Sequence, residues 1–284
     1  MITGIYEVNK AAVLRMTEQL KLMGYSKNTI KTYQNEFTQF LVALKNNFVD
    51  NCSADRVRSY MLYCYEQLKL SENTLHSRLN ALKFYFEKVL HREKFFVDIP
   101  RPKKHSILPK TIHQNDLKKM FAVTTNLKHN TILKLCYGMG LRLSEIINLK
   151  ITDIDSENMQ VFVERGKGKK DRYVNLPQSI LEQLRRYYKM YRPKIYLFEG
   201  QEGGQYSIRS TQQIFKNALQ KAGINKKVGI HSLRHSYATH LLEQGTDIRF
   251  IQELLGHKDL KTTLIYTDVT NNSIRNVKSP LDNL

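Results

Sequence analysis

A chain of 284 residues is long enough for two domains, each with its own core. Its 45 lysines and arginines against 26 acidic residues give a formal net charge of +19, which points to a polyanionic partner, most simply nucleic acid. The excess is spread along the chain, +7 over residues 1–108 and +12 over residues 109–284, a distribution that suits a clamp better than a domain with a basic tail. Cys52, Cys64 and Cys136 are odd in number and form no CxxC pair, which argues against a disulfide framework or a zinc site and fits a reducing cytoplasm. No apolar run approaches the roughly 20 residues that span a bilayer, and the first residues lack the pattern of a signal peptide, so a cytoplasmic protein is expected.

In chain order, residues 10–45 read as two helices. Leu14, Leu20, Leu22 and Met23 precede a break at Gly24, Tyr25 and Ser26, with Ser26 a candidate N-cap. Ile30, Tyr33, Phe37, Phe40, Leu41 and Leu44 follow at helical spacing. Ser53 is expected to cap a third helix carrying Val57, Tyr60, Met61 and Leu68. Ser71 is expected to start a fourth, with Leu75, Leu79, Leu82, Tyr85, Phe86 and Val89 on one face. The aromatic positions Tyr33, Phe37, Tyr60, Phe84 and Phe86 fit core packing better than base stacking. Lys27, Lys31, Arg56, Arg58, Arg78 and Lys83 fall on the polar faces, where each is an ordinary solvated charge and together they can line DNA.

The bundle is expected to end near residue 97. Residues 98–108 read as an extended linker: Pro100, Pro102 and the adjacent Pro109 disfavour helix, and Arg101, Lys103 and Lys104 can follow a phosphate backbone. A second domain then covers residues 109–284. Asn115 is a candidate cap for a helix with Leu117, Met120 and Phe121. Another helix over residues 131–137 stops at Gly138, Met139 and Gly140, and helix resumes over 141–149. Residues 159–163 and 172–176 have strand character and flank a Gly/Lys-rich loop. Helical patterns return at 179–191, 210–222, 236–244 and 248–255.

Several of these segments carry side chains suited to phosphodiester chemistry. Attack on a phosphodiester builds negative charge on its non-bridging oxygens, and a guanidinium can hold two of them. Arg142 and Arg234 are candidates; Arg142 can equally pair with Glu145 one turn on. Lys167, at the tip of Arg165-Gly166-Lys167-Gly168-Lys169, can donate a proton to a leaving oxygen or simply clamp phosphate, and the loop lacks the P-loop spacing. His231 and His257 can exchange protons with a phosphate near neutral pH. No carboxylate or cysteine cluster accompanies them, which disfavours a metal. Tyr266, one of 16 tyrosines, follows His257 by nine residues, on a helix expected to open at Asp259 or Thr262. A phenol serves as a covalent nucleophile where cations stabilise its phenolate.

Arg142, Lys167, His231-x-x-Arg234, Leu255-Gly256-His257 and Tyr266, in that order, resemble the tyrosine recombinase (phage integrase-type) family. The boxes run Gly140-Leu141-Arg142-Leu143-Ser144-Glu145, then His231-Ser232-Leu233-Arg234-His235 on to His240, then Leu254-Leu255-Gly256-His257 through Thr262-Thr263-Leu264-Ile265-Tyr266 to Thr267. The resemblance covers nearly the whole chain. It implies a mainly α fold with a small β-sheet: a helical core-binding bundle followed by a mixed α/β catalytic domain.

The resemblance further implies a site-specific recombinase that cleaves and rejoins duplex DNA, with no cofactor and no metal. Tyr266 would attack the scissile phosphate and form a 3′-phosphotyrosyl bond. Arg142, Arg234 and His257 would hold the non-bridging oxygens, Lys167 would protonate the 5′-oxygen, and His231 would act in proton transfer with the tyrosine. Glu145 and His235 would support them. Lys27, Lys31, Arg78, Lys83, Lys103, Lys104 and Lys169 would contact DNA. The implied partners are a double-stranded recombination site and, in the synaptic complex, a homotetramer or a heterotetramer with a related recombinase. A type IB topoisomerase-like relaxer and a DNA-binding accessory protein without activity are the alternatives. Met139 and Asp268 depart from residues common in the family without removing a reacting group. The chain begins at the bundle with no arm-binding domain before it, which makes it most similar to Xer-like or simple transposon integrases.

Overall fold

The computed structural model describes residues 4–92, 100, 108–164 and 171–267. The chain separates into two units, Met1–Ser106 and Ile107–Leu284. Apart from Pro100 and Leu108, the expected linker lies outside the described residues, as do Lys103, Lys104, Lys167 and Lys169.

The first unit holds α1 (Glu7–Leu22), α2 (Lys27–Leu44), α3 (Ala54–Glu66) and α4 (Glu72–Phe84), the last running into a π-helical turn at Tyr85–Val89. Ser26, Ser53 and Ser71 cap α2, α3 and α4, each hydroxyl accepting the N–H three residues on. These bonds satisfy donors that the first helical turn leaves without an intrahelical partner. Met16, Leu20, Phe37, Phe40, Leu41, Leu82, Tyr85 and Phe86 fill the centre, with the Phe37 and Tyr85 rings 4.4 Å apart. Phe37, Phe84 and Phe86 are buried, and Tyr33 and Tyr60 pack against them as partly buried rings, so the five aromatic positions build core.

The inward face of α1 is Ala12, Val13, Met16 and Leu20, while Leu14, Leu22 and Met23 are exposed. One expectation for this unit needs correction. Arg78 does not lie on a solvated face. It sits on the core stripe of α4 with Leu75, Leu79 and Leu82, and its Nε donates to Glu36 Oε2 at 2.9 Å. Its Nη1 donates to the Tyr60 hydroxyl at 3.1 Å. The buried cation is compensated inside the bundle and is not free for a phosphate. Lys27 and Lys31 are exposed, whereas Lys83 is half-buried and pairs with Glu87 at 3.5 Å.

The second unit contains α5 (Gln114–Val123), α6 (Leu127–Gly138), α7 (Leu143–Asn148), β1 (Ile154–Asp155), β2 (Gln160–Val163) and β3 (Arg172–Asn175). It continues with α8 (Gln178–Tyr191), α9 (Ile208–Lys221), α10 (His231–Glu243), α11 (Ile248–Leu255) and α12 (Lys261–Leu264). The strands form one antiparallel sheet in sequence order, with Val161 opposite Val174 and Val163 opposite Arg172. Alternation turns Val161, Val163 and Val174 into the core, and Arg172 shares their face.

Some boundaries differ from expectation. His113, not Asn115, caps α5; Arg142 is extended and starts α7 later than expected; and α10 begins at His231, five residues before the anticipated start. The two-residue β1 is too short to display a period. Among the described residues no helix is long and apolar enough to cross a membrane.

Candidate active site

The site begins at a tight turn ahead of α7. Gly140 has φ +59°, and a Cβ there would stand 2.4 Å from the Tyr237 ring, so only glycine lets the chain pass. Arg142 is the N-cap of α7, and its N–H donates to Glu145 Oε2 at 2.8 Å while its Nη1 donates to Oε1 at 2.7 Å. The alternative pairing of Arg142 with Glu145 is therefore realised, and it fixes the guanidinium instead of retiring it.

α10 carries Arg234, which is 5% exposed and donates to the Gly140 and Leu255 carbonyls. Burial, then repulsion from Arg142, pushes its pKa down to about 9, which leaves it cationic at neutral pH. α11 ends in Gly256, left-handed at φ +62°, as helix C-termini favour. Three successive carbonyls at this end accept from three arginines. Leu254 accepts from Arg172 Nε at 3.0 Å, Leu255 from Arg234, and Gly256 from Arg142 Nη2 at 3.2 Å. Terminal helix carbonyls lack intrahelical partners and carry partial negative charge, so cations belong there.

Glu145 lies within the same arginine group. Arg172 Nη1 and Nη2 donate to its two oxygens at 3.0 and 2.9 Å, and Arg234 Nη1 stands 3.9 Å away. Burial opposes its ionisation, yet the Arg172 hydrogen bonds and charge, with Arg142, hold its pKa at about 2.

His257 follows directly on Gly256. Its Nε2 is 3.1 Å from Arg234 Nη2 and its Nδ1 is 2.9 Å from Thr263 Oγ1. A guanidinium only donates, so Nε2 accepts and Nδ1–H donates to threonine. That is a neutral imidazole, consistent with a pKa lowered to about 3 by burial, Arg234 and Arg142.

Tyr266 lies in the turn after α12 and is 1% exposed. Its hydroxyl is 3.1 Å from His235 Nδ1, and its ring is nearly parallel to His257, with centroids 6.5 Å apart. Burial raises the pKa of the phenol, while the Arg234 and Arg142 charges lower it.

The structure thus brings together Arg142, Glu145, Arg234, His235, His257 and Tyr266. The contact to the phenol comes from His235. His231 lies in the first turn of α10 with its pKa lowered by burial, then by Arg234 and Arg142. Sequence reasoning missed Arg172 and Thr263. The signal for Arg172 was present in part, since a two-residue period places it on the face of Val174; nothing in the spacing marks Thr263. Among the described residues no group of three or more His, Cys, Asp or Glu side chains is placed to hold a metal.

This order and geometry can be set beside known proteins. Residues 110–273 match the sequence model described as the phage integrase family. The chain belongs to that family. Residues 13–94 of this family member match the model described as the phage integrase N-terminal SAM-like domain.

Tyrosine recombinase XerA of Pyrococcus horikoshii is 36% identical over 94% of this chain and 92% of its own length. Tyrosine recombinase XerC of Bacillus subtilis is 33% identical over 89% of this chain and 90% of its own. The crystal structure of a lambda integrase (75–356) dimer bound to a core site shares the fold, with TM-score 0.76, 16% identity, and coverage of 92% of this chain and 96% of that one. This integrase-family member is a tyrosine-type site-specific recombinase with a mainly helical fold and a small sheet.

Proposed function

We propose that this recombinase cleaves and rejoins duplex DNA through Tyr266. The phenolic oxygen attacks the scissile phosphorus, the bond to the 5′-oxygen breaks, and a 3′-phosphotyrosyl link and a 5′-hydroxyl result. Arg142 and Arg234 bind the non-bridging oxygens and offset the charge that grows there, with His257 beside them. Lys167 is assigned the proton for the 5′-oxygen; it lies outside the described residues.

The observation that carries this reading is the placement of the Tyr266 ring against His257 and His235, in the field of buried Arg234 and half-buried Arg142. Those arginines supply the electrostatic stabilisation that phosphoryl chemistry requires, and the phosphodiester energy is kept in the tyrosyl link. Rejoining on this scheme consumes no ATP and requires no metal. Pairing of two recombination sites calls for four protomers, so a tetramer is the proposed synaptic assembly. The net charge of +19 supports DNA as partner, and the Tn1549 transposon integrase (aa 82–397), which shares the fold, was solved in complex with circular intermediate DNA.

A nicked suicide duplex carrying the recombination site tests the proposal. The wild-type chain is expected to give a covalent adduct on a denaturing gel, and Tyr266→Phe to bind the DNA without forming one. An adduct that survives the substitution would remove Tyr266 from its role.

A further inference from the structure

We infer that Arg172 is a positioning residue for phosphate activation, holding Glu145 and the end of α11 together so that Arg142, Arg234 and His257 converge on one point. The inference rests on the reading of this cluster as the phosphate site.

Arg172 uses its whole guanidinium on two elements far apart in sequence. Nη1 and Nη2 form a fork on both Glu145 oxygens, while Nε reaches the Leu254 carbonyl. The fork is planar and doubly bonded, a geometry that lysine cannot reproduce. Its aliphatic stem lies under Gly256, where a Cβ would meet Arg172 Cδ at 3.0 Å. The Gly256 carbonyl accepts from Arg142, and the next residue is His257. Arg172 therefore braces both the carboxylate that holds Arg142 and the helix end that presents His257.

The same arrangement governs charge. Glu145 is the one carboxylate in contact with Arg142, Arg172 and Arg234 among the described residues. Because Arg172 takes up much of that negative charge, Arg142 and Arg234 keep positive charge for a phosphate. Without Arg172, the Glu145 carboxylate is left to Arg142, and the site loses both alignment and field. The side chain reaches this place because Arg172 shares the inward face of β3 with Val174.

The test compares wild type with Arg172→Gln and Arg172→Lys, each checked by thermal melting, on a suicide duplex at saturating protein. Loss of a residue that orients a metal ligand costs about 10–100-fold in activity, and the same range is expected for this bracing arginine. R172Q is therefore expected to form adduct slower by that factor while its DNA affinity stays close to wild type, and R172K to recover part of the rate. A second substrate carries a neutral methylphosphonate at the scissile position, which needs less cationic stabilisation. On it the R172Q deficit is expected to narrow.

Wild-type rates for folded R172Q would overturn the inference. So would a deficit lying in affinity alone, or an equal deficit on both substrates, which marks a DNA contact or a general loss of structure. Absence of adduct from the wild-type chain would instead overturn the functional reading on which the inference rests.

Discussion

His235 Nδ1 lies 3.1 Å from the hydroxyl of Tyr266, a side chain that is 1% exposed. Burial lowers the pKa of His235, aided by His231 and Arg234, and burial raises that of the phenol. Both are neutral at pH 7, and with the imidazole proton on Nε2 the phenol donates to Nδ1. On the proposed scheme, His235 is then placed to receive the proton when the phenol attacks. His235→Ala is expected to slow adduct formation about 100-fold, the range for a lost general base, without changing DNA affinity. Single-turnover cleavage by H235A and H231A decides between the two histidines. A severe loss in H231A with none in H235A would return the role to His231.

Thr263 holds the tautomer of His257. Thr263→Val keeps the volume and removes the acceptor for Nδ1–H, so Nε2 is no longer fixed as the atom facing Arg234. The expected result is adduct formation slower by about 10-fold in T263V and near wild type in T263S. Proton NMR of the imidazole provides a second check: the His257 signal should stay at its neutral shift from pH 8 down to about pH 4, because its pKa is about 3.

Acid stability follows from the same shifts. His257 is lowered from 6.5 to about 3, so its contribution is complete above pH 6.5 and is lost as pH falls from there toward 3. Glu145 is lowered from 4.5 to about 2, and its contribution, on the order of 3 kcal/mol, is lost as pH falls from 4.5 toward 2. Glu145→Gln should melt well below wild type at pH 7, and the two melting curves should converge as pH drops below about 4. A constant difference down to pH 3 would contradict the assignment.

Gly140→Ala places a methyl group against the Tyr237 ring at a positive φ. The expected cost is on the order of 3 kcal/mol, with the Gly140 carbonyl displaced from Arg234. Chemical denaturation measures the first effect and single-turnover cleavage the second.

Arg78→Ala leaves Glu36 buried without its cation, which costs about 3–5 kcal/mol. The salt dependence of DNA binding, measured where the variant is folded, should keep the wild-type slope. Exposed Lys27 and Lys31, proposed DNA contacts, are expected to behave in the opposite way. Replacing either should leave stability intact, and removing one phosphate-neutralising charge should reduce the slope by about 0.9.

The amino-acid sequence by itself determined the helical bundle, the strand pair and the roster of phosphate-seeking groups. Serine caps, helical period and turn glycines act within a few residues, so Ser26, Ser53, Ser71 and the 248–255 helix were legible directly. The order from Arg142 to Tyr266 was legible too, because it lies in residue identity and spacing. Tertiary structure decided which of several faces turned inward. Arg78 and Arg172 look like surface cations in a local window, yet one pairs with Glu36 in the core and the other enters through the register of β3. It also decided the partners: Arg142 meets Gly256 across 114 residues, Arg172 meets Leu254 across 82, and His235 rather than His231 meets Tyr266. Hydrogen bonds between segments so distant depend on how α7, β3, α10 and α11 pack, and local spacing holds no record of that packing.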